Sequence, residues 1–200
     1  MIAATVAAAT ILSGCGGGDS APPAPAGPDL SAPPSGLRWE PYQGVALPRA
    51  EQGPAKIDSG AATGFTRTPQ GAALAALTHT IRMSLAPDDQ WPQVLRAEVA
   101  PGAGRDEWTI NRAQLSITAP PTPELAPRLL GYQISDYSEQ RAAVTIFTEY
   151  SDASRAANKT KVVWLFEDWR LELPDPTATT NPVEVIHDLP PDHVKLEAPR

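Results

Sequence analysis

Two periods organise the hydrophobic positions of this chain. Leu74, Leu77, Ile81 and Leu85 recur three and four residues apart, with Ala73 and Ala76 between them, which predicts one amphipathic helix over 70–85. Its start is marked by Thr68, able to cap the first turn, and by Pro69 at the first helical position, where a missing N–H costs nothing. Pro87 ends it. Asp88 and Asp89 precede a second, short helix over 90–99, with Pro92 in its first turn and Pro101 and Gly102 as the stop. A third helix is predicted over 105–117, where Trp108, Arg112 and Leu115 share a face, although Thr109, Ile110 and Ile117 suit a strand as well.

Four prolines between 119 and 127 exclude regular structure, and beyond them the period falls to two. Leu130, Tyr132 and Ile134 alternate with Gly131, Gln133 and Ser135. Ala142, Val144, Ile146, Thr148 and Tyr150 then occupy one face of a second run. After a loop over 151–158, Thr160, Val162, Trp164 and Phe166 form a third run, and Trp169, Leu171 and Leu173 a fourth. The segment 37–65 carries Trp39, Tyr42, Val45 and Leu47 among prolines and glycines, and reads as an extended arm with little regular structure. Together these signals predict an α+β domain over 37–174, with two to three N-terminal helices packed on a curved four-stranded antiparallel sheet.

What flanks that domain differs in kind. The stretch 16–36 is Gly, Ala, Ser and Pro with one large apolar residue, Leu30, and reads as a spacer that could reach roughly 65 Å at ~3.1 Å per residue. The stretch 175–200 has five prolines, five acids and no aromatic residue, and reads as an acidic disordered tail. At the other end, the apolar run 2–12 is too short to cross a bilayer but fits the hydrophobic part of a secretory signal, although no Lys or Arg precedes it. It is followed by Leu12-Ser13-Gly14-Cys15, which resembles the lipobox of a bacterial lipoprotein. That resemblance implies a signal peptide over 1–14, acyl chains on Cys15, and a mature protein on the outer face of the cell membrane. A single cysteine also rules out an internal disulfide framework.

Charge narrows the partners. With a formal net charge of −7, the chain offers no clustered cations for a phosphate backbone, so a nucleic-acid partner is not expected. Membrane attachment should rest on the acyl chains of Cys15 and not on a basic patch. The remaining expected partner is a protein of the cell envelope.

Candidate chemistry is sparse. His79 on the first helix and Tyr132 and Tyr150 from the sheet are the residues that could face a cavity between the layers, but no Asp–His pair is visible, and a structural role is expected for His79. His187-Asp188 and Asp192-His193 could in principle hold a metal, yet Pro190-Pro191 separates them in the tail, and a solvated tail is the expected reading. No catalytic, metal or cofactor residue is assigned. Of five tryptophans, Trp164 and Trp169 fall in apolar phase and read as core, whereas Trp39, Trp91 and Trp108 could form a binding patch if two of them share an exposed surface.

Gly64-Phe65-Thr66-Arg67-Thr68-Pro69-Gln70-Gly71-Ala72 at the first helix, Leu47-Pro48 and Gly53-Pro54 upstream, and Asp168-Trp169-Arg170-Leu171 in the last strand resemble a family of actinobacterial exported proteins of uncharacterised function. The order of elements also resembles the NTF2-like, cystatin-like fold of the envelope subunits of type IV secretion and conjugation machines. The resemblance implies a lipid-anchored interaction or assembly module, accessory to a transfer or secretion apparatus. The other reading is a small-molecule-binding or enzymatic cone pocket. Related sequences commonly carry a Gly in the turn before Asp-Trp-Arg, where this chain has Glu167, and the tight turn there is expected to be strained.

Overall fold

The computed structural model describes residues 27–122 and 126–199; the apolar run 2–12, Cys15 and the spacer up to residue 26 lie outside them. Helix α1 (Pro69–Leu85) runs through the middle of the folded body. Thr68 has extended backbone and its hydroxyl accepts the Gly71 N–H at 3.1 Å, so the cap read from the sequence forms. Ala72, Ala73, Ala75 and Ala76 are all fully buried along with Leu74 and Leu77. Their small side chains let neighbours close on the helix from several sides. Helix α2 (Trp91–Glu98) and helix α3 (Ala103–Arg112) follow, with Pro92 in the first turn of α2 as expected. The 103–112 segment is helical, which resolves the helix-or-strand ambiguity.

The segment read as an irregular arm instead forms two hairpins, β1 (Arg38–Tyr42) with β2 (Val45–Arg49) and β3 (Lys56–Asp58) with β4 (Ala61–Thr63). The signal lay in Gln43-Gly44 and Ser59-Gly60, both two-residue turns with positive φ at each position, the geometry that matches strand twist. Pro41 and Pro48 drew the reading away from strands, yet they sit opposite Ala46 and Trp39 in a ribbon of only two strands.

The main sheet corrects the expected fold class. It contains β5 (Arg128–Tyr137), β6 (Arg141–Glu149), β7 (Arg155–Leu165), β8 (Asp168–Glu172), β9 (Val183–Ile186) and β10 (Val194–Lys195), in the order β10-β5-β6-β7-β8, with β9 also beside β7. A six-stranded sheet with two separate two-stranded sheets replaces the four strands beneath N-terminal helices of the NTF2-like, cystatin-like arrangement. The difference comes from the ends of the domain. Strand β7 is long enough to pair with β8 along 161–165 and with β9 along 155–158, so one edge is shared by two strands end to end. The stretch 155–158, expected as a loop, is a strand that pairs with β6 along 146–149 on one side and with β9 on the other.

The segment 175–199, expected as a disordered tail, therefore supplies two strands. Between β9 and β10 the chain passes over the face of the sheet opposite α1, where Ile186 and Leu189 cover Leu130, Phe147 and Ala157. Val194, Leu196 and Ala198 then reach the main core. These strands were hard to read because they are four and two residues long and set among prolines and acids. The second half of the expected spacer is also docked: the Gln52 side chain accepts the Ser35 N–H, and Gln70 donates to the carbonyls of Asp29 and Ala32.

The helical layer is closed by Asp88. Its carboxylate accepts the Ile117 N–H at 2.9 Å, the Ser116 hydroxyl at 2.7 Å and the Arg112 guanidinium at 2.9 Å, and these bonds pull its pKa from 3.8 to about 2. Arg112 also donates to the carbonyls of Ala86 and Leu115 and stacks over Trp91, whose ring meets Trp108 edge to face at 6.1 Å.

Two predictions follow from local geometry. A carboxylate with a depressed folded pKa stabilises fully above its ordinary value, and that contribution is lost as pH falls from 3.8 through about 2. In denaturant titrations over that window, the wild-type midpoint should fall more steeply than that of Asp88→Asn; parallel curves would contradict the assignment. In the turn between β7 and β8, Phe166 and Glu167 have φ of 55° and 62°, whereas the β1–β2 and β3–β4 hairpins place Gly at the second turn position. Glu167→Gly should therefore stabilise the fold by about 0.5–1 kcal/mol after the entropic cost of Gly is subtracted. Chemical denaturation reads it.

Candidate functional site

The residues that carry the family resemblance meet at one end of the main sheet. Asp168, the first residue of β8, turns its carboxylate to the chain that leads into α1. It accepts the N–H groups of Gly64 at 2.7 Å and Phe65 at 3.0 Å, and its own neighbour Trp169 at 2.9 Å. The Trp169 indole N–H donates to the Thr66 carbonyl at 2.9 Å, and the ring is fully buried between Trp164 and Tyr137. Arg170 donates to the carbonyls of Arg96 and Ala97, in the last turn of α2, where a cation is favoured. Three consecutive residues thus hold the entrance to one helix and the exit of another.

Behind them lies a buried polar pair. His79 Nε2 is 3.0 Å from the Trp169 carbonyl oxygen, which can only accept, so that nitrogen carries a hydrogen. His79 Nδ1 is 2.8 Å from Glu98 Oε2, and one proton lies between them. The other Glu98 oxygen accepts the Ala62 N–H at 2.6 Å. Both side chains are sealed from solvent, and the Phe65 ring meets the imidazole edge to face at 5.1 Å. The pair ties α1, α2, β4 and β8 together. One turn further along α1, the Arg82 guanidinium stacks over Tyr42 at 4.2 Å and donates to the Gly60 carbonyl. Burial pushes the Tyr42 phenol up to about 12, so it stays protonated.

His79 is therefore a structural histidine with no open side. Tyr132 is fully buried, its pKa raised by burial, and its hydroxyl has no hydrogen-bond partner among the described residues. Tyr150 is exposed beyond the end of β6. The structure forms no hydrogen bond among these three residues. Of the two C-terminal histidines weighed against a solvated tail, His193 folds back so that its ring meets Phe147 edge to face, with Nδ1 at the Pro190 carbonyl, while the His187 carbonyl accepts from Arg155. Among the described residues, no three His, Cys, Asp or Glu side chains gather as a metal site would need. Trp91 and Trp108 do pair, as half-buried partners on the helical layer, and Trp39 packs partly buried against the main core. Sequence reasoning missed Glu98 and Arg82. The available signal was a charged residue set between apolar neighbours, Ala97 and Val99 for one and Ile81 and Met83 for the other.

The space between α1 and the sheet is filled by Leu74, Leu77, Val162, Trp169 and Leu171. The open space lies to one side. A groove of about 1060 Å³ runs between the C-terminal half of α1, the segment 100–105, the middle of β7 and the loop 173–182. Thr80, Met83, Asn158, Thr160 and Leu173 line it, with Arg105 at one end. Such a surface offers hydroxyl, amide and guanidinium donors beside apolar contact, the mixture that binds a peptide segment or a small polar molecule by shape.

The His79–Glu98 pair makes a sharp prediction. His79→Leu strands a buried carboxyl group and should cost about 3–5 kcal/mol, whereas His79→Leu combined with Glu98→Leu should cost clearly less than the two single changes summed. Urea unfolding of the four proteins completes the cycle; additive costs would show that the two side chains do not act as a pair.

No curated protein and no solved structure matches the chain. One family does, described as a domain of unknown function, DUF8175, over residues 3–190, a span that takes in the apolar run and Cys15 together with nearly all of the folded body. The chain belongs to the DUF8175 family.

Proposed function

We propose that this chain is an interaction and assembly module held on the outer face of the cell membrane by acyl chains on Cys15, with no chemistry of its own, that engages an envelope protein through its folded body. The observation that carries this reading is the occupation of its interior polar groups. Both nitrogens of His79, both oxygens of Glu98 and the carboxylate of Asp168 are bound to the protein's own atoms, which leaves them no role toward a substrate. One further feature supports it: Leu12-Ser13-Gly14-Cys15 stands within the family match. The comparison with conjugation subunits rested on a four-stranded fold and goes with it.

The lateral groove favours a second reading, a small-molecule binder, because its volume matches that of ligand clefts. Anchoring is common to both. Two or more acyl chains give stable attachment, at ~0.8 kcal/mol per buried CH₂. Cys15→Ser should therefore move the protein from the membrane to the soluble fraction, and mass spectrometry of the wild-type mature N-terminus should find acylated Cys15. A Cys15→Ser protein that still sediments with membranes after a high-salt wash would overturn the reading.

A further inference from the structure

The tip of the β7–β8 hairpin is a contact that folding alone does not account for. Phe166 is 75% exposed there, beside the partly exposed Leu165, on a turn whose backbone favours glycine at both positions. The β1–β2 and β3–β4 hairpins solve the same geometry with Gly44 and Gly60 and place no large apolar residue in the turn. Just behind this one, Arg170 stacks on Phe166 and Arg67 on the half-buried Trp164, each with its guanidinium carbon 5.1 Å from the ring centre. Neither arginine has an ion-pair partner among the described residues. An apolar tip backed by a tryptophan and two arginines has the composition of a segment that sits at a lipid–water boundary.

The course of the chain decides which surface this tip faces. Gln70, one helical turn from Arg67, donates to the carbonyls of Asp29 and Ala32, so the polypeptide coming from Cys15 joins the folded body beside this same end. Eleven residues separate Cys15 from Gly27, a length that spans at most about 40 Å when fully extended. At the opposite end of β7 the turn exposes Ser151, Asp152 and Ser154, with the half-exposed Tyr150 as its one aromatic residue. We propose that the β7–β8 tip is a membrane contact, in which Phe166 and Leu165 enter the headgroup–acyl boundary while Arg67 and Arg170 lie at the headgroups. This rests on the anchoring reading above. Glu139 and Glu167 lie close by and the whole chain is acidic, so the contact is apolar in origin and does not require anionic lipid.

The test uses the acylated full-length chain on vesicles of phosphatidylcholine, with and without phosphatidylglycerol. Cys15 is the only cysteine and its sulfur is blocked by lipid, so Glu167→Cys, which keeps Phe166, and Ser151→Cys each introduce one reactive thiol on an exposed turn. The rate of reaction with a water-soluble maleimide is read as the ratio of the two variants, referred to the same ratio in an unacylated Cys15→Ser background. On vesicles of either composition, the Glu167→Cys thiol should become at least tenfold slower relative to Ser151→Cys. An unchanged ratio on protein shown by mass spectrometry to be acylated and to sediment with vesicles would overturn the contact and leave the anchor standing. Absence of acylation would remove both. Protection seen in native membranes but not on pure lipid would assign the tip to a protein partner and overturn the proposal.

Discussion

The carboxylate of Asp168 is the constraint on which the rest of the fold depends. Two of the three N–H groups it accepts belong to Gly64 and Phe65, more than a hundred residues earlier in the chain. They precede a helix that is buried on nearly every side, and Phe65 is itself buried, so water cannot take over its bond. A carboxylate bonded to several N–H groups is strongly held, whereas unpaired buried N–H groups cost about 1–3 kcal/mol each. The entry of α1 into the core is thus set by a residue of the main sheet, and the direction of the helix follows from it. Once α1 is placed, His79 reaches the Trp169 carbonyl and Glu98, and those bonds fix α2 and the β3–β4 hairpin in turn.

Small side chains make this arrangement possible. The four alanines between Ala72 and Ala76 let the helix lie close to neighbours that include β2, β4, α2 and the main sheet. A helix packed from so many directions needs no strong difference between its faces, and its polar residues must then be bonded internally. That is why His79 and Arg82, ordinary surface residues on a two-layer helix, are here occupied by carbonyls, a carboxyl group and an aromatic ring. The interior polar groups and the alanine-rich stretch are two sides of one packing solution.

How much of this could be read in advance depended on length and on locality. Helix α1 was legible from Thr68, Pro69 and the spacing of its leucines, because a cap and a periodic stripe over seventeen residues are local signals. The four longer strands of the sheet were legible for the same reason. The two N-terminal hairpins were hidden by Pro41 and Pro48, although Gln43-Gly44 and Ser59-Gly60 carried their turns, and β9 and β10 were hidden because so few residues pair only when the sheet edge already exists. At the candidate site, Asp168-Trp169-Arg170 and Gly64-Phe65-Thr66 stood out as separate words. Nothing in either word reveals that one accepts the hydrogen bonds of the other. Glu98 illustrates the limit most plainly: its partner His79 is nineteen residues away on another helix, and no spacing rule joins them.

The C-terminal segment has a consequence for how the molecule is made. Val194, Leu196 and Ala198 complete the main core, and Leu196 donates its N–H to Leu130 near the start of the sheet. A nascent polypeptide cannot close that core until residues 194–198 have been translated and have cleared the ribosome. Growing chains that cannot finish their interior keep apolar surface exposed while synthesis continues. Late closure thus builds a delay into the order of synthesis.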